Sequence, residues 1–149
     1  MGLYISTKTF THPEGLSCCY RQWAATSNDR FMHGYALGFR LVFECHHLDE
    51  NKQTIDIKGL DHIKEWLKSQ FDHTVAVAED DPALATIQQL NDAGLCDLRI
   101  LPGVGCEKFA ELVFKYVMNW IIESGQLSRV TIRSVECMEH DGNSALYVE

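Results

Sequence analysis

The sequence has no run of apolar residues close to the roughly 20 that a membrane-spanning helix requires. Residues 1–8 lack the long apolar segment and the small-residue cleavage site of a secretory signal peptide. The chain also has no internal repeats and no low-complexity linker. These absences argue against a membrane or secreted protein, so we expect a cytoplasmic one.

Basic residues are scarce and are not clustered. The chain carries 13 Lys and Arg against 21 Asp and Glu, which gives a formal net charge of −8. Binding to nucleic acid or to an anionic membrane depends on concentrated positive charge, so we expect neither as a partner. A small molecule or another protein chain fits this composition better.

The six cysteines include no Cys-x-x-Cys pair, and the neighbours Cys18 and Cys19 cannot easily bridge each other. In a reducing compartment we expect free thiols, most of them packed as small apolar residues. A chain of 149 residues with an apolar share of 46% is long enough for one core. We therefore predict one domain spanning residues 1–149.

Strand-like patterns dominate the first third of the chain. We predict strands at residues 3–10 and 16–21, joined by a turn at 11–15, and a polar loop at 24–30. Residues 31–45 alternate with period two and predict one long strand. Residues 54–57 are predicted to be its short returning partner.

Helical spacing appears next, at residues 58–70 and 83–91, and a short strand is predicted at 97–101. The clearest helix follows, with a stripe at Phe109, Leu112, Val113, Tyr116, Val117, Trp120 and Ile121. A final hairpin is predicted, with strands at 127–138 and 145–148 and a turn at 140–143. The order predicts an α+β fold in which helices cover one face of an antiparallel sheet. Such a sheet has open edges, so we expect subunits to associate.

Two short motifs could carry chemistry. In a strand, His33 and Tyr35 project to the same face and could enter one cavity. Taken alone, the motif is better explained by a strand-end hydrogen bond of His33 and a core position of Tyr35. Asp72 directly precedes His73, and a carboxylate can orient an imidazole for proton transfer near neutral pH. Solvation at a surface turn is the other explanation of that pair.

Two carboxylates lie in different predicted elements, which changes how each is explained. Glu107 falls in the first turn of the long helix, where the helix dipole favours a negative charge. Glu136 falls in a strand-like run, where a carboxylate must find partners or face solvent. A buried carboxylate there could accept two parallel N–H bonds from the amino-pyrimidinone edge of a pterin or guanine. We interpret Cys106 as a packing residue, and His46 and His47 as a solvated turn with a weak metal option.

In order and spacing, these residues resemble the family of 6-pyruvoyl-tetrahydropterin and 6-carboxy-tetrahydropterin synthases. The resemblance extends from about Leu16 to the C-terminus, and its specificity lies in the ordered combination of short motifs. The matching segments are Leu16–Arg21, Asp29–Tyr35, Thr54–Ile57 with Leu60, Phe71–His73, Glu107 and Glu136.

The resemblance implies the tunnelling fold, in which a four-stranded antiparallel sheet carries two helices on one side. Trimers of such subunits close their sheets into a barrel, and hexamers are usual. Members hold zinc with three histidines, move protons with a cysteine and an Asp-His pair, and anchor the pterin ring with a late glutamate.

Carried over by position, the resemblance makes Asp72 and His73 the proton-transfer pair and Glu136 the pterin anchor, with Glu107 as a second substrate-binding residue. Asp29 stands in place of the catalytic cysteine.

The metal positions are His33, Tyr35 and Tyr20, a degenerate set with one histidine where the family has three. Phenols with a pKa near ~10 must lose a proton to bind zinc, so this set should bind zinc poorly at neutral pH.

The sequence therefore predicts a divergent member that binds a pterin or a related purine-like compound at subunit interfaces. Two functions are left open. One is a lyase in which Asp72, His73 and Asp29 move protons; the other is a non-catalytic homo-oligomer, a trimer or hexamer, that binds pterin and has lost the zinc site.

Overall fold

The structure is a computed structural model that describes residues 2–11, 13, 16–140 and 142–149, without the side chain of Ile57. None of the helices formed by these residues combines the length and apolar character that a membrane crossing requires. The elements are β1 (Tyr4–Phe10), β2 (Ser17–Tyr20), β3 (His33–Ala36), β4 (Gly38–Cys45), α1 (Ile57–Phe71), β5 (Thr74–Ala78), α2 (Leu84–Asp92), β6 (Leu98–Leu101), α3 (Cys106–Glu123), β7 (Val130–His140) and β8 (Asn143–Val148).

The first sheet is antiparallel, with strand order β1-β4-β7-β8. Alternation along β4 turns Phe39, Leu41 and Phe43 to one face, where all three are fully buried. α1 and α3 cover that face: the rings of Phe39 and Phe71 lie 5.0 Å apart. This confirms the predicted four-stranded antiparallel sheet with helices packed against it.

A second, mixed sheet was not predicted. Its strand order is β3-β2-β5-β6, with β2 antiparallel to β3 and β5 parallel to both β2 and β6. The prediction of one long strand over residues 31–45 is wrong, because the chain leaves this sheet after Ala36 and enters the first sheet at Gly38. Leu37 lies at the junction, where its N–H donates to the Leu16 carbonyl at 2.8 Å. Alternation continues across the junction, so periodicity cannot reveal the change of partner.

The predicted strand at residues 54–57 is also wrong, because this segment leads into α1. Asp56 is the N-cap of the helix, and its side chain accepts a hydrogen bond from the Lys58 N–H. The guanidinium of Arg129 donates to the Thr54 carbonyl at 3.0 Å, so a side chain supplies a bond that a strand partner would otherwise make. The helix predicted at 58–70 is confirmed.

Apart from β5, for which no strand was predicted, the rest of the chain follows the prediction. α2, β6 and α3 occupy the expected segments, and β7 and β8 form the final hairpin. The turn predicted at 11–15 falls mostly on residues outside the described ones, and so does Asp141 in the turn predicted at 140–143.

Candidate functional site

A cavity of about 180 Å³ lies where the two sheets meet the start of α3. β2 and β3 bring tyrosines to it from the second sheet, and the end of β7 brings a glutamate from the first. The lining residues are Tyr20, Gln22, Asp29, Tyr35, Gly105, Cys106, Glu107, Glu139 and Asn143.

Two stacked tyrosines form one wall. The rings of Tyr20 and Tyr35 lie 4.5 Å apart at 26°, and Phe109 of α3 meets the Tyr20 ring edge-on at 5.0 Å. Tyr20 is only 2% exposed. Burial raises the pKa of the Tyr20 phenol, and its hydrogen bond to Glu139 raises it further. Burial likewise raises the pKa of Tyr35, so both phenols are neutral at physiological pH.

Glu139 is the carboxylate at the centre of the cavity. Its Oε1 accepts a hydrogen bond from the Tyr20 hydroxyl at 2.5 Å, and its Oε2 accepts one from the Asn143 amide at 2.5 Å. This residue was not among those predicted from the sequence. A signal was present, because period two places Glu139 on the same strand face as the buried Val135 and Cys137.

Glu136, the predicted pterin anchor, does not line this cavity. Its Oε1 lies 3.3 Å from a guanidinium nitrogen of Arg40, its neighbour across the β4–β7 pairing. Its Oε2 accepts a hydrogen bond from the Ser144 hydroxyl at 2.8 Å. The structure therefore corrects the expectation that Glu136 joins Tyr20 and Tyr35 in one pocket, because the alternation of β7 turns it to the other face.

Asp29 lines the cavity, as the prediction requires, and its loop is anchored at several points. Its carbonyl accepts the Gln22 N–H at 2.8 Å, and its own N–H donates to the Ser27 hydroxyl at 3.3 Å. The Gln22 amide also donates to the Val104 carbonyl at 3.0 Å. Gln22 thus ties the Asp29 loop to the segment that starts α3.

An ion pair holds the base of the same loop. The Arg21 guanidinium donates to both carboxylate oxygens of Asp81, at 2.9 and 2.6 Å, and to the Arg30 carbonyl at 3.2 Å. Asp81 is only 4% exposed. The hydrogen bond from Arg21 lowers the pKa of the Asp81 carboxyl, so the pair is ionised at neutral pH. Its bidentate geometry fixes the direction in which the chain leaves β2.

The start of α3 supplies hydrogen-bond donors. Its N-cap is Gly105, with φ of 105° and no side chain to cap the helix, and a Cβ at this position would lie 2.3 Å from the Gln22 amide nitrogen. The first N–H groups of a helix have no partner within the helix, and Cys106 and Glu107 from this turn line the cavity. A hydrogen bond from Cys137 lowers the pKa of the Cys106 thiol. The start of α3 and the Glu139 carboxylate thus border the same cavity.

The predicted metal positions do not come together as a zinc site. The His33 ring Nε2 lies 3.0 Å from the Asn28 carbonyl, and this residue does not line the cavity. Tyr20 and Tyr35 do, but both phenols have raised pKa values, and the Tyr20 hydroxyl is committed to Glu139. Within the described ranges no group of three or more His, Cys, Asp or Glu side chains could hold a metal. A catalytic zinc takes three ligands of imidazole, thiolate or carboxylate type, and these residues do not fit it.

Asp72 and His73 pair as predicted, but away from the cavity. His73 Nδ1 lies 2.5 Å from an Asp72 oxygen, and the His73 side chain is 83% exposed. Its φ of 56° is a conformation rare for residues other than glycine. The His73 N–H donates to the Ser17 carbonyl at 2.6 Å. Ser17 and Tyr20 are opposite ends of β2, about 10 Å apart at the usual rise per residue. Within one chain, Asp72 and His73 therefore lie too far from the cavity to act in it.

One of the comparisons with known proteins identifies a family. A family model described as 6-pyruvoyl tetrahydropterin synthase matches residues 9–149. No curated protein sequence matches the chain.

Solved structures share the fold at low sequence identity. An uncharacterized protein from Wolinella succinogenes is 18% identical with a TM-score of 0.83, over 100% of this chain and 99% of that one. The 6-pyruvoyl tetrahydropterin synthase of Plasmodium falciparum is 14% identical with a TM-score of 0.67, over 97% and 98%. A Plasmodium vivax synthase variant, in which a catalytic glutamate is replaced by cysteine, is 13% identical with a TM-score of 0.67, over 98% of each chain.

Replacement of Tyr20 by Phe tests the wall of the cavity. Removing the hydroxyl deletes a hydrogen bond to a charged acceptor, so we expect the free energy of unfolding at pH 7 to fall by about 1.5–3 kcal/mol. The folded-state pKa of Tyr20 is raised above its ordinary 10.0. The stability that comes from holding the phenol neutral is therefore present below pH 10 and lost as pH rises beyond it.

Urea unfolding at a series of pH values measures both effects. Tyr20→Phe should lose stability less steeply above pH 10 than the wild type, whereas the exposed control Tyr4→Phe should follow the wild-type curve. A wild-type slope in Tyr20→Phe would contradict the burial and bonding of this phenol.

Proposed function

The chain belongs to the 6-pyruvoyl tetrahydropterin synthase family, and from this premise we propose that its cavity binds a pterin or a related purine-like compound at a subunit interface. The observation that carries the proposal is the position of Glu139, a partly buried carboxylate in a cavity with an aromatic wall. Glu139 takes the anchoring role that the sequence alone assigned to Glu136.

The chemistry of the cavity complements an amino-pyrimidinone ring edge. Such an edge presents an amino N–H and a ring N–H side by side, next to a carbonyl oxygen. Each carboxylate oxygen of Glu139 can accept more than one hydrogen bond, so the bonds from Tyr20 and Asn143 leave room for the two N–H groups of the ligand. The N–H groups at the start of α3 can donate to the carbonyl. The two N–H groups of the ligand would thus face Glu139, and its carbonyl oxygen would face the N–H groups of α3.

The volume of the cavity favours a small ring. About 180 Å³ is less than the roughly 300–1,000 Å³ of pockets that enclose drug-sized ligands. The cavity therefore holds the ring edge, and the rest of the ligand extends toward the surface. A second subunit that covers the opening completes the site.

Exposed strand edges support association of subunits. β1 and β8 are the outer strands of the first sheet, and each exposes large apolar side chains: Tyr4, Ile5, Leu146 and Val148 are 50%, 52%, 63% and 58% exposed. An open edge with apolar residues is a template for pairing with another chain. We propose that β1 of one subunit pairs with β8 of the next, which closes the sheets of three subunits into a barrel, and that two trimers can form a hexamer.

Association also gives Asp72 and His73 a role. Asp72 occupies His73 Nδ1, which leaves Nε2 as the nitrogen that exchanges a proton with a ligand. The pair is exposed, and the backbone of His73 is in a strained conformation of the kind that clusters at functional sites. In the proposed reaction, His73 of one copy reaches the cavity of another and moves a proton on the ligand side chain, as a lyase or isomerase does.

Asp29 is the second proton-transfer group, on the cavity side. A carboxylate can take the place of a thiol in this role when it is held near the ligand. The catalytic residue replaced in the Plasmodium vivax relative is itself a glutamate. We propose that the reaction proceeds without zinc, because the donor set of Tyr20, Tyr35 and His33 does not suit that ion.

A matched pair of substitutions on β7 tests the binding proposal. Glu139→Gln should weaken binding of dihydroneopterin by at least about tenfold, because an amide offers one acceptor oxygen and no charge. Glu136→Gln removes the same charge three residues away, on the other face, and should leave affinity unchanged. Calorimetric titration of both folded variants measures this. Loss of affinity in Glu136→Gln alone would reverse the assignment, and absence of binding in the wild type would refute the function.

Mixed assemblies test proton transfer across the interface. We expect the wild-type protein to exchange a side-chain hydrogen of dihydroneopterin with deuterium from solvent, measured by NMR. Glu139→Gln and His73→Ala should each lack exchange, and a co-expressed mixture should regain it, because some interfaces combine an intact cavity with an intact His73. The control is the double variant, which carries both substitutions in every subunit and should show no exchange. If the wild type binds dihydroneopterin without any exchange, the lyase proposal is rejected and the alternative, a non-catalytic pterin-binding protein, is supported.

A further inference from the structure

We infer that Gln22 is a positioning residue for the proposed reaction. Its side-chain amide fixes Asp29 relative to the start of α3, and thereby relative to the bound ring. The inference rests on the proposed function, in which Asp29 moves a proton on a ligand whose ring lies against Glu139 and α3. It adds a residue that neither transfers the proton nor anchors the ring.

Asp29 and the groups proposed to hold the ring lie on separate parts of the chain. Asp29 belongs to a single turn of 3-10 helix, Asn28–Arg30, between β2 and β3, whereas Glu139 lies on β7. A group that moves a proton must come within about 2.6–3.2 Å of its partner atom. A misplacement of about 1 Å can slow a reaction by about 10²-fold. The reaction therefore needs a contact that fixes this loop relative to α3.

Gln22 makes such a contact, because its backbone and its side chain bond in different directions. Its N–H donates to the Asp29 carbonyl at 2.8 Å, and its side-chain amide donates to the Val104 carbonyl at 3.0 Å. Val104 directly precedes Gly105, the N-cap of α3. One residue thus connects the backbone of Asp29 to the start of the helix that borders the cavity.

The other side-chain hydrogen bonds of the loop lead elsewhere. Arg21 donates to Asp81, and Trp23 donates to Asp80, both in the segment before α2. The rest stay within the loop or reach the first residue of β3. Among the hydrogen bonds between described residues, that of the Gln22 amide is the one that joins the loop to the start of α3. Its loss would leave the loop anchored at its base but free to shift relative to the ring.

The start of α3 leaves space for the Gln22 amide. Gly105 has a φ of 105°, and a Cβ at this position would lie 2.3 Å from the amide nitrogen. Glycine is the residue that permits both the conformation and the close approach. Gln22 itself is exposed, so replacing its side chain removes no core contact and should leave the fold intact.

Gln22→Met tests the inference, because methionine is of similar length and cannot donate to the Val104 carbonyl. We expect deuterium exchange into dihydroneopterin, measured at saturating ligand, to fall at least about tenfold. The Kd from calorimetric titration should stay within about twofold of the wild-type value, because Glu139 and α3 still hold the ring. A role in folding alone would not separate the exchange rate from the affinity in this way.

Trp23→Phe is the matched control. It removes a side-chain hydrogen bond of the next residue in the same loop, from the indole to Asp80 at 3.2 Å, and leaves the contact with α3 in place. Its exchange rate and its affinity should both match the wild type. An equal loss of exchange in Trp23→Phe would show a general effect of the loop and would overturn the inference.

The remaining outcomes separate the inference from the proposed function. Exchange at the wild-type rate in Gln22→Met would overturn the inference while the proposed function stands. Binding weakened by tenfold or more would make Gln22 a ligand contact and would overturn it as well. If the wild type binds dihydroneopterin without exchange, the reaction fails and the inference fails with it, and if the wild type does not bind, the proposed function itself is refuted.

Discussion

A hydrogen bond from Tyr20 to Glu139 joins the two sheets at the cavity. Tyr20 ends a strand of the mixed sheet, and Glu139 lies near the end of a strand of the antiparallel sheet, so the bond fixes the relative position of both. It also settles the chemistry of its two partners. The phenol remains protonated and acts as a donor, while the carboxylate is oriented with its accepting oxygens toward the cavity. The proposed ligand recognition and the acidic character of the cavity both involve this carboxylate.

Other contacts around the cavity hold the Asp29 loop and the start of α3 in place. Gln22 connects the Asp29 loop to the start of α3, and the ion pair between Arg21 and the buried Asp81 anchors the loop at its other end. Gly105 permits the close approach of Gln22, since any larger residue would collide with its amide. These contacts, together with a single turn of 3-10 helix over Asn28–Arg30 that Ser27 caps, account for how the loop presents Asp29 at a defined place.

The sequence predicted the antiparallel sheet, the long helix and the final hairpin, because each rests on local alternation or helical spacing. It could not predict the mixed sheet, whose parallel pairings join segments far apart in the chain. The junction at Leu37 was missed for a related reason, since the alternation of apolar residues continues through it. Asp56 was misread because an isolated Thr-Ile-Asp-Ile segment suits both a strand and a helix N-terminus.

The candidate site divides in the same way. Tyr20, Asp29, Tyr35 and Glu107 were identified by position along the chain, and the structure brings them to one cavity. Glu136 was assigned by resemblance and Glu139 was not considered, because only the three-dimensional packing shows which face of β7 meets the cavity. Asp72 and His73 do pair, but local sequence pattern contains no information on how far this pair lies from Tyr20. That distance is what makes a second subunit necessary for the proposed chemistry.

A crystal structure of the assembled protein with dihydroneopterin would show whether Glu139 anchors the ring. We expect the amino-pyrimidinone edge against the Glu139 carboxylate, the ring carbonyl near the first N–H groups of α3, and the imidazole of His73 from another copy at the cavity. A ring bound beside Glu136, with the cavity between Tyr20 and Glu139 left empty, would contradict this expectation.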